Sequence, residues 1–144
     1  MKTLELIKLG ERHMRYCYPA IFEMEKDGKY SVEFPDLEGC YTSGDNLADA
    51  IYMAQDVLAF TLYNYEKEKR EIPKPSQHNK LRITKGAFIN EIACDTFEYQ
   101  KRNNNKSVKK TLSVPEYLNE LAMEAGLNFS QILQDALKEK LGVY

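Results

Sequence analysis

Between Tyr16 and Met24 (YCYPAIFEM) aromatic and branched residues crowd together, and after an Asp27-Gly28 turn signal the run Tyr30 to Phe34 (YSVEF) follows. Two such runs around a tight turn predict a β-hairpin, which Pro35 ends. Residues 39–42 supply a short third strand. Asp45 or Asn46 then opens a helix as N-cap, because either side chain accepts the orphan amide protons of a first turn. Leu47, Ile51, Ala54, Leu58, Leu62 and Tyr65 recur at steps of three and four, which is one apolar helix face. The helix fades into the charged run 66–70. Ile72-Pro73-Lys74-Pro75-Ser76 is a stiff connector, since proline removes donors and restricts its predecessor. Phe88 to Ala93 (FINEIA) reads as a last strand, so this part runs β-β-β-α-β.

The stretch Gln100 to Ser107 (QKRNNNKS) has no apolar residue and contains an Asn triplet, as a hinge does. Beyond it come a short strand-like run from Val108 to Val114, then Pro115 at a first helical position, then two helices separated at Gly126. Leu118, Leu121, Ala122 and Ala125 stripe the first. Asn128 caps the second, whose stripe is Ile132, Leu133, Ala136, Leu137 and Leu141. One short strand and two short helices cannot bury a sufficient core, so this tail is expected to dimerise. The expected division is a leader at 1–15, a first domain at 16–95, a polar and basic linker at 96–106, and the tail at 107–144.

Length and composition restrict the function. With 144 residues, 43% hydrophobic and 29% charged, the chain suits one or two small domains and is too short for a barrel enzyme. Uncharged runs are too short for a membrane span. The first fifteen residues are too charged for a secretory signal, and three cysteines (Cys17, Cys40, Cys94) without metal or redox spacing fit reduced thiols, so a cytoplasmic location is expected. The net charge of −2 conceals an asymmetry. Tyr16 to Phe60 carries nine acidic residues against Lys26 and Lys29, whereas Tyr99 to Ser113 carries Lys101, Arg102, Lys106, Lys109 and Lys110 with no acid. An acidic front and a basic hinge suggest two partners of opposite electrostatic character.

The segment from Tyr18 to Ile51, with Tyr-Pro-Ala opening a strand, an Asp-Gly hairpin, Phe-Pro-Asp-Leu-Glu-Gly-Cys, and Gly-Asp ahead of an Ala-containing helix, resembles the amino-terminal domain of HicB-type antitoxins. The resemblance covers about residues 16–95 and implies a partial, non-catalytic ribonuclease H-like fold. It also implies a HicA-like ribonuclease toxin as partner, whose active histidine the domain occludes. Such a toxin must be positive where it holds RNA phosphates, so carboxylates suit the docking face. Glu33, Asp36 and Glu38 are the candidates, with Phe34 and Leu37 as apolar anchors. In this family the sequence begins within a few residues of the Tyr-Pro strand. Residues 1–14 are therefore a native extension, an overextended start with Met14 as the real one, or an added remnant, and carry no assigned function.

The tail from Ser107 resembles a ribbon-helix-helix domain, in which two chains pair strands and lay the ribbon in the major groove of operator DNA. The resemblance places Lys109, Thr111 and Ser113 toward the groove and Leu112 and Val114 toward a dimer core with Leu118, Ile132 and Leu133, although Lys110 stands where an inward apolar residue is common. It places Asn128, Phe129 and Ser130 where a helix N-terminus grips a phosphate. The expected class is thus α+β: a HicB-like β-β-β-α-β unit plus a β-α-α dimerisation domain. The expected function is an autorepressing antitoxin, a homodimer through the ribbon with higher assembly left open, without enzyme activity, metal or cofactor. Two alternatives stand beside it: a small metal-dependent ribonuclease H-like nuclease using Glu33, Asp36, Glu38 and Asp45, and a ribbon-helix-helix regulator whose first domain senses another partner. His13 and His78 are expected to be solvated, and Cys40 to be a small buried residue rather than a nucleophile.

Overall fold

The computed structural model describes residues 14–143. The leader up to His13 lies outside them, as does Tyr144. Along the chain the elements are β1 (Arg15–Met24), β2 (Tyr30–Glu33), β3 (Tyr41–Gly44), α1 (Leu47–Lys67), a 3-10 turn (His78–Lys80), β4 (Phe88–Asp95), α2 (Thr96–Asn103), α3 (Glu116–Glu124) and α4 (Phe129–Leu141). They fall into two compact units, one ending at Asn105 and the other containing residues from Lys106 onward.

In the first unit four antiparallel strands lie in the order β3-β2-β1-β4. The β1–β2 hairpin closes through the Glu25 amide donating to the Lys29 carbonyl at 2.7 Å. Successive strand residues face opposite sides, so Tyr18, Ala20, Phe22, Val32 and Ile92 share one face and bury it against Ala50, Ala54, Leu58 and Leu62 of α1. The helix starts at Asn46, whose side chain accepts from the Asp49 amide at 2.9 Å. Ala50 replaces Leu47 in the buried stripe; Leu47, at the solvent end of the first turn, is exposed. The third strand lies two residues later than expected because residues 34–40 form a closed loop ahead of it. Gly44 at its end meets α1 so closely that a Cβ there would sit 2.3 Å from the Ala50 nitrogen.

Residues 96–103, expected as linker, form α2. Asp95 caps it by accepting from the amides of Phe97 (2.9 Å) and Glu98 (3.1 Å). Tyr99 packs its ring on Phe60 and Tyr63 of α1, with centroids 6.4 and 5.6 Å away. Thr96, buried at the junction, donates its hydroxyl to Glu66 at 2.7 Å.

In the second unit Pro115 precedes α3 as its N-cap, and Gly126 ends it in the left-handed region at φ 67°. Asn128 caps α4 by accepting from the Gln131 amide at 3.0 Å. Neither helix buries a single residue, and residues 106–114 carry no strand. That departs from the strand expected at 108–114. A ribbon strand takes its hydrogen bonds from a partner strand, and the described residues of a single chain pair none with this segment.

Candidate functional site

The acidic loop between β2 and β3 is built by its backbone. Phe34 donates to the Cys40 carbonyl (2.9 Å), Leu37 to Phe34 (3.1 Å) and Cys40 to Leu37 (3.3 Å), with Gly39 at φ 71° closing the turn. This curl turns every third side chain inward. Phe34, Leu37 and Cys40 are 1%, 3% and 1% exposed and belong to the core. Phe34 and Leu37 are therefore not contact anchors: no partner can reach them without unfolding the loop. Glu33 and Glu38 are exposed and free to meet one.

Asp36 has a structural task. Its carboxylate accepts from the Ser76 amide at 2.9 Å and from the Ser76 hydroxyl. The Tyr18 hydroxyl, buried beneath, donates to the Pro73 carbonyl. Together they clamp the proline connector onto the sheet. His78 is exposed, as expected, and also pairs with Glu91, which accepts from the Cys17 thiol at 3.4 Å.

The nucleolytic alternative finds no assembled centre. Asp36 is committed to Ser76, and Asp45 lies beyond β3, its amide donating to Asp49 at 2.9 Å. Among the described residues no group of three or more histidine, cysteine, aspartate or glutamate side chains could hold a metal ion. The thiols are poorly suited to attack. Burial pushes Cys94 up to about 12 and raises Cys40, which the Thr61 hydroxyl only partly offsets. Burial first, then Glu91, raises Cys17. All three remain protonated near neutrality. No helix among the described residues is long and apolar enough to cross a membrane.

In the second unit Lys109, Thr111 and Ser113 are exposed, as are Lys106 and Lys110. So are the residues expected in a dimer core: Leu112 is 62% exposed, Val114 48%, Leu118 46% and Ile132 48%, and Leu133 is half-buried. A stripe of this kind on a monomer is far outside ordinary burial for leucine and isoleucine. At the α4 N-terminus Asn128 satisfies Gln131, leaving the Phe129 and Ser130 amides without a partner among the described residues.

Sequence reasoning missed Tyr41, 71% exposed on β3 directly opposite Glu33. Their pairing is set by the register between β2 and β3, which sequence spacing does not give.

A family described as HicB-like antitoxin of bacterial toxin–antitoxin systems matches residues 17–84. Antitoxin HicB 2 of Photorhabdus laumondii is 42% identical over 81 residues, which cover 56% of this chain and 51% of that protein. The chain thus spans about half the length of that curated relative. A chain from a toxin–antitoxin complex of Streptococcus pneumoniae is 30% identical with a TM-score of 0.59, covering 88% of this chain and 99% of that one. The antitoxin HicB of Burkholderia pseudomallei shares the fold at 16% identity and a TM-score of 0.50, over 86% and 98% of the two chains.

Proposed function

We propose that this chain, which belongs to the HicB-like antitoxin family, neutralises a HicA-like ribonuclease with its first unit and binds operator DNA as a dimer through its tail. It acts by binding and not by catalysis. The observation that carries the reading is the likeness to the chain from the pneumococcal complex: coverage of 88% cannot be reached by the first unit alone and takes in the tail.

The physical support differs between the units. The first has a closed core and an exposed acidic surface, which suits inhibition of a protein that is positive where it grips RNA. The tail has an apolar stripe left exposed among the described residues, beside three lysines, two short hydroxyls and an open helix N-terminus. A second copy of the tail buries the stripe and brings the two 108–114 segments together as a ribbon. Alternation then sets Lys109, Thr111 and Ser113 on the outer face and Leu112 and Val114 on the inner one. Base edges are read from the outer face, and Phe129 and Ser130 amides meet a phosphate.

Co-expression with a HicA-like ribonuclease tests the first half. Co-purification and relief of growth arrest are expected, and growth arrest unrelieved by a well-folded chain refutes it. Gel shifts on the promoter test the second. Thr111→Ala and Ser113→Ala are each expected to weaken specific binding by about 1–3 kcal/mol, and Lys109→Ala to reduce the salt slope by about one. Leu112→Lys is expected to abolish the dimer. Parental binding by Lys109→Ala, Thr111→Ala and Ser113→Ala together overturns the register and the ribbon with it.

A further inference from the structure

Only one face of the sheet is covered by α1. On the other, alternation places Cys17, Pro19, Ile21 and Glu23 of β1. The rows across the strands are set by register. Pro19 lies opposite Glu91, and this row is roofed: Pro19 is fully buried and Glu91 is held by His78 of the connector. The next row is open and runs Ile89–Ile21–Glu33–Tyr41 across β4, β1, β2 and β3. Beyond it lies Glu23–Ser31–Ser43. The two isoleucines are half-buried, while Glu23, Glu33, Ser43 and Tyr41 are exposed. β3 ends the sheet, so among the described residues its outer backbone edge has no strand beside it.

We propose that this open half-face is the surface on which the toxin docks. The inference rests on the antitoxin reading above and specifies where that contact is made. Its chemistry selects the occupant. Both charged side chains in the two rows are carboxylates, and on the adjoining hairpin turn Lys26 and Lys29 are matched in number by Glu25 and Asp27. An RNA strand is repelled by such a face. A second copy of this chain, seated about a twofold axis, would bring Glu23 and Glu33 against their own equivalents. A protein with a basic, phosphate-gripping surface gains two ion pairs there. Tyr41 offers it a large amphipathic ring, the residue type that anchors interfaces, and Ile21 and Ile89 form an apolar floor beside the ring.

Binding of the full chain to a HicA-like ribonuclease, expressed with its active histidine changed to alanine, tests the placement. The double variant Glu23→Lys/Glu33→Lys is expected to slow association on the order of tenfold to a hundredfold and to reverse its salt dependence. Tyr41→Ala is expected to speed dissociation about tenfold or more. Asp56→Lys, an equally exposed charge reversal on α1, is expected to bind like the parent. Hydrogen exchange on the parental complex is read in parallel and needs no variant to fold: protection is expected at 41–44. Failure of the parent to bind refutes the antitoxin reading itself. Parental binding with unaffected Glu23→Lys/Glu33→Lys and Tyr41→Ala variants, or protection confined to α1, overturns only the docking face.

Discussion

Gly44→Ala probes the contact that joins β3 to the start of α1. A Cβ built at Gly44 meets the Ala50 nitrogen at 2.3 Å, the Ala50 Cα at 2.5 Å and the Asp49 carbonyl carbon at 2.8 Å. Ordinary carbon contacts begin near 3.5 Å, so strand and helix must separate by about 1 Å. All three obstacles are backbone, and none can swing aside as a side-chain tip would. The helix cannot retreat freely either, since Ala50, Ala54 and Leu58 are fully buried against the sheet. Overpacking of a tight core costs about 1–3 kcal/mol, and an immovable backbone puts this site at the upper end. With a urea slope of about 1–2 kcal/mol per molar, the unfolding midpoint is expected to fall by about 1.5–3 M. Near-ultraviolet circular dichroism of the tyrosines reports this unit, because eight of the ten precede Asn105. Ser43→Ala, one residue earlier and exposed, is the control. If Gly44→Ala unfolds at the same urea concentration as Ser43→Ala, the close approach is not a constraint and the argument fails.

Asn46→Ala removes the acceptor for the Asp49 amide and is expected to lower stability by about 1 kcal/mol in the same titration. Ser76→Ala removes the hydroxyl donor to Asp36 and leaves only the amide one, which loosens the proline connector, so trypsin is expected to cleave after Lys80 or Arg82 faster than in the parent while the unfolding midpoint barely moves. Cys94 bears on alkaline stability. Its folded pKa is raised by burial to about 12 from an ordinary value of 9.0, so the folded state retains a proton the unfolded state releases. Its contribution is complete below pH 9 and declines toward pH 12. Cys94→Ala is expected to flatten the stability profile over that range, and an unchanged slope refutes the assignment. Iodoacetamide at pH 8 is expected to label exposed Cys17 well before Cys40 or Cys94.

The parts of the fold that can be read from the chain are those where local pattern and tertiary burial agree. The apolar steps Ala54, Leu58, Leu62 and Tyr65 are buried as expected, and Tyr18, Ala20 and Phe22 alternate into the core. The acidic loop was misread because polar neighbours suggest exposure. Phe34, Leu37 and Cys40 recur every third residue, a spacing that betrays a curl with one inward face. α2 was hidden by its polar composition, although Asp95 followed three residues later by Glu98 is a capping signal. Glu98 then pairs with Lys101 at 2.7 Å. No reading of sequence spacing could show that Asp36 is occupied by Ser76, forty residues away. Glu33 was reached from its charge, but its neighbours Ile21, Tyr41 and Ile89 depend on strand register.

The two units differ in what makes them stable, and this sets how the two activities respond to concentration. The first unit buries its own core, so its affinity for a toxin does not depend on how many copies of the chain are present. The tail buries no residue in either helix. Under the proposed function its ribbon needs a second strand and its folding is coupled to dimerisation, and stability that comes with a partner grows with protomer concentration. Operator binding under the proposed function therefore rises with at least the second power of free chain at low concentration, whereas toxin neutralisation rises with the first. Under that same reading the accumulating chain inhibits toxin before it silences its own promoter. Fusing two tails through a flexible linker removes that difference, and repression is then expected at concentrations where the parent only neutralises. A parent whose repression already follows the first power of its concentration shows that the tail folds alone, against the exposure of Leu112, Leu118 and Ile132.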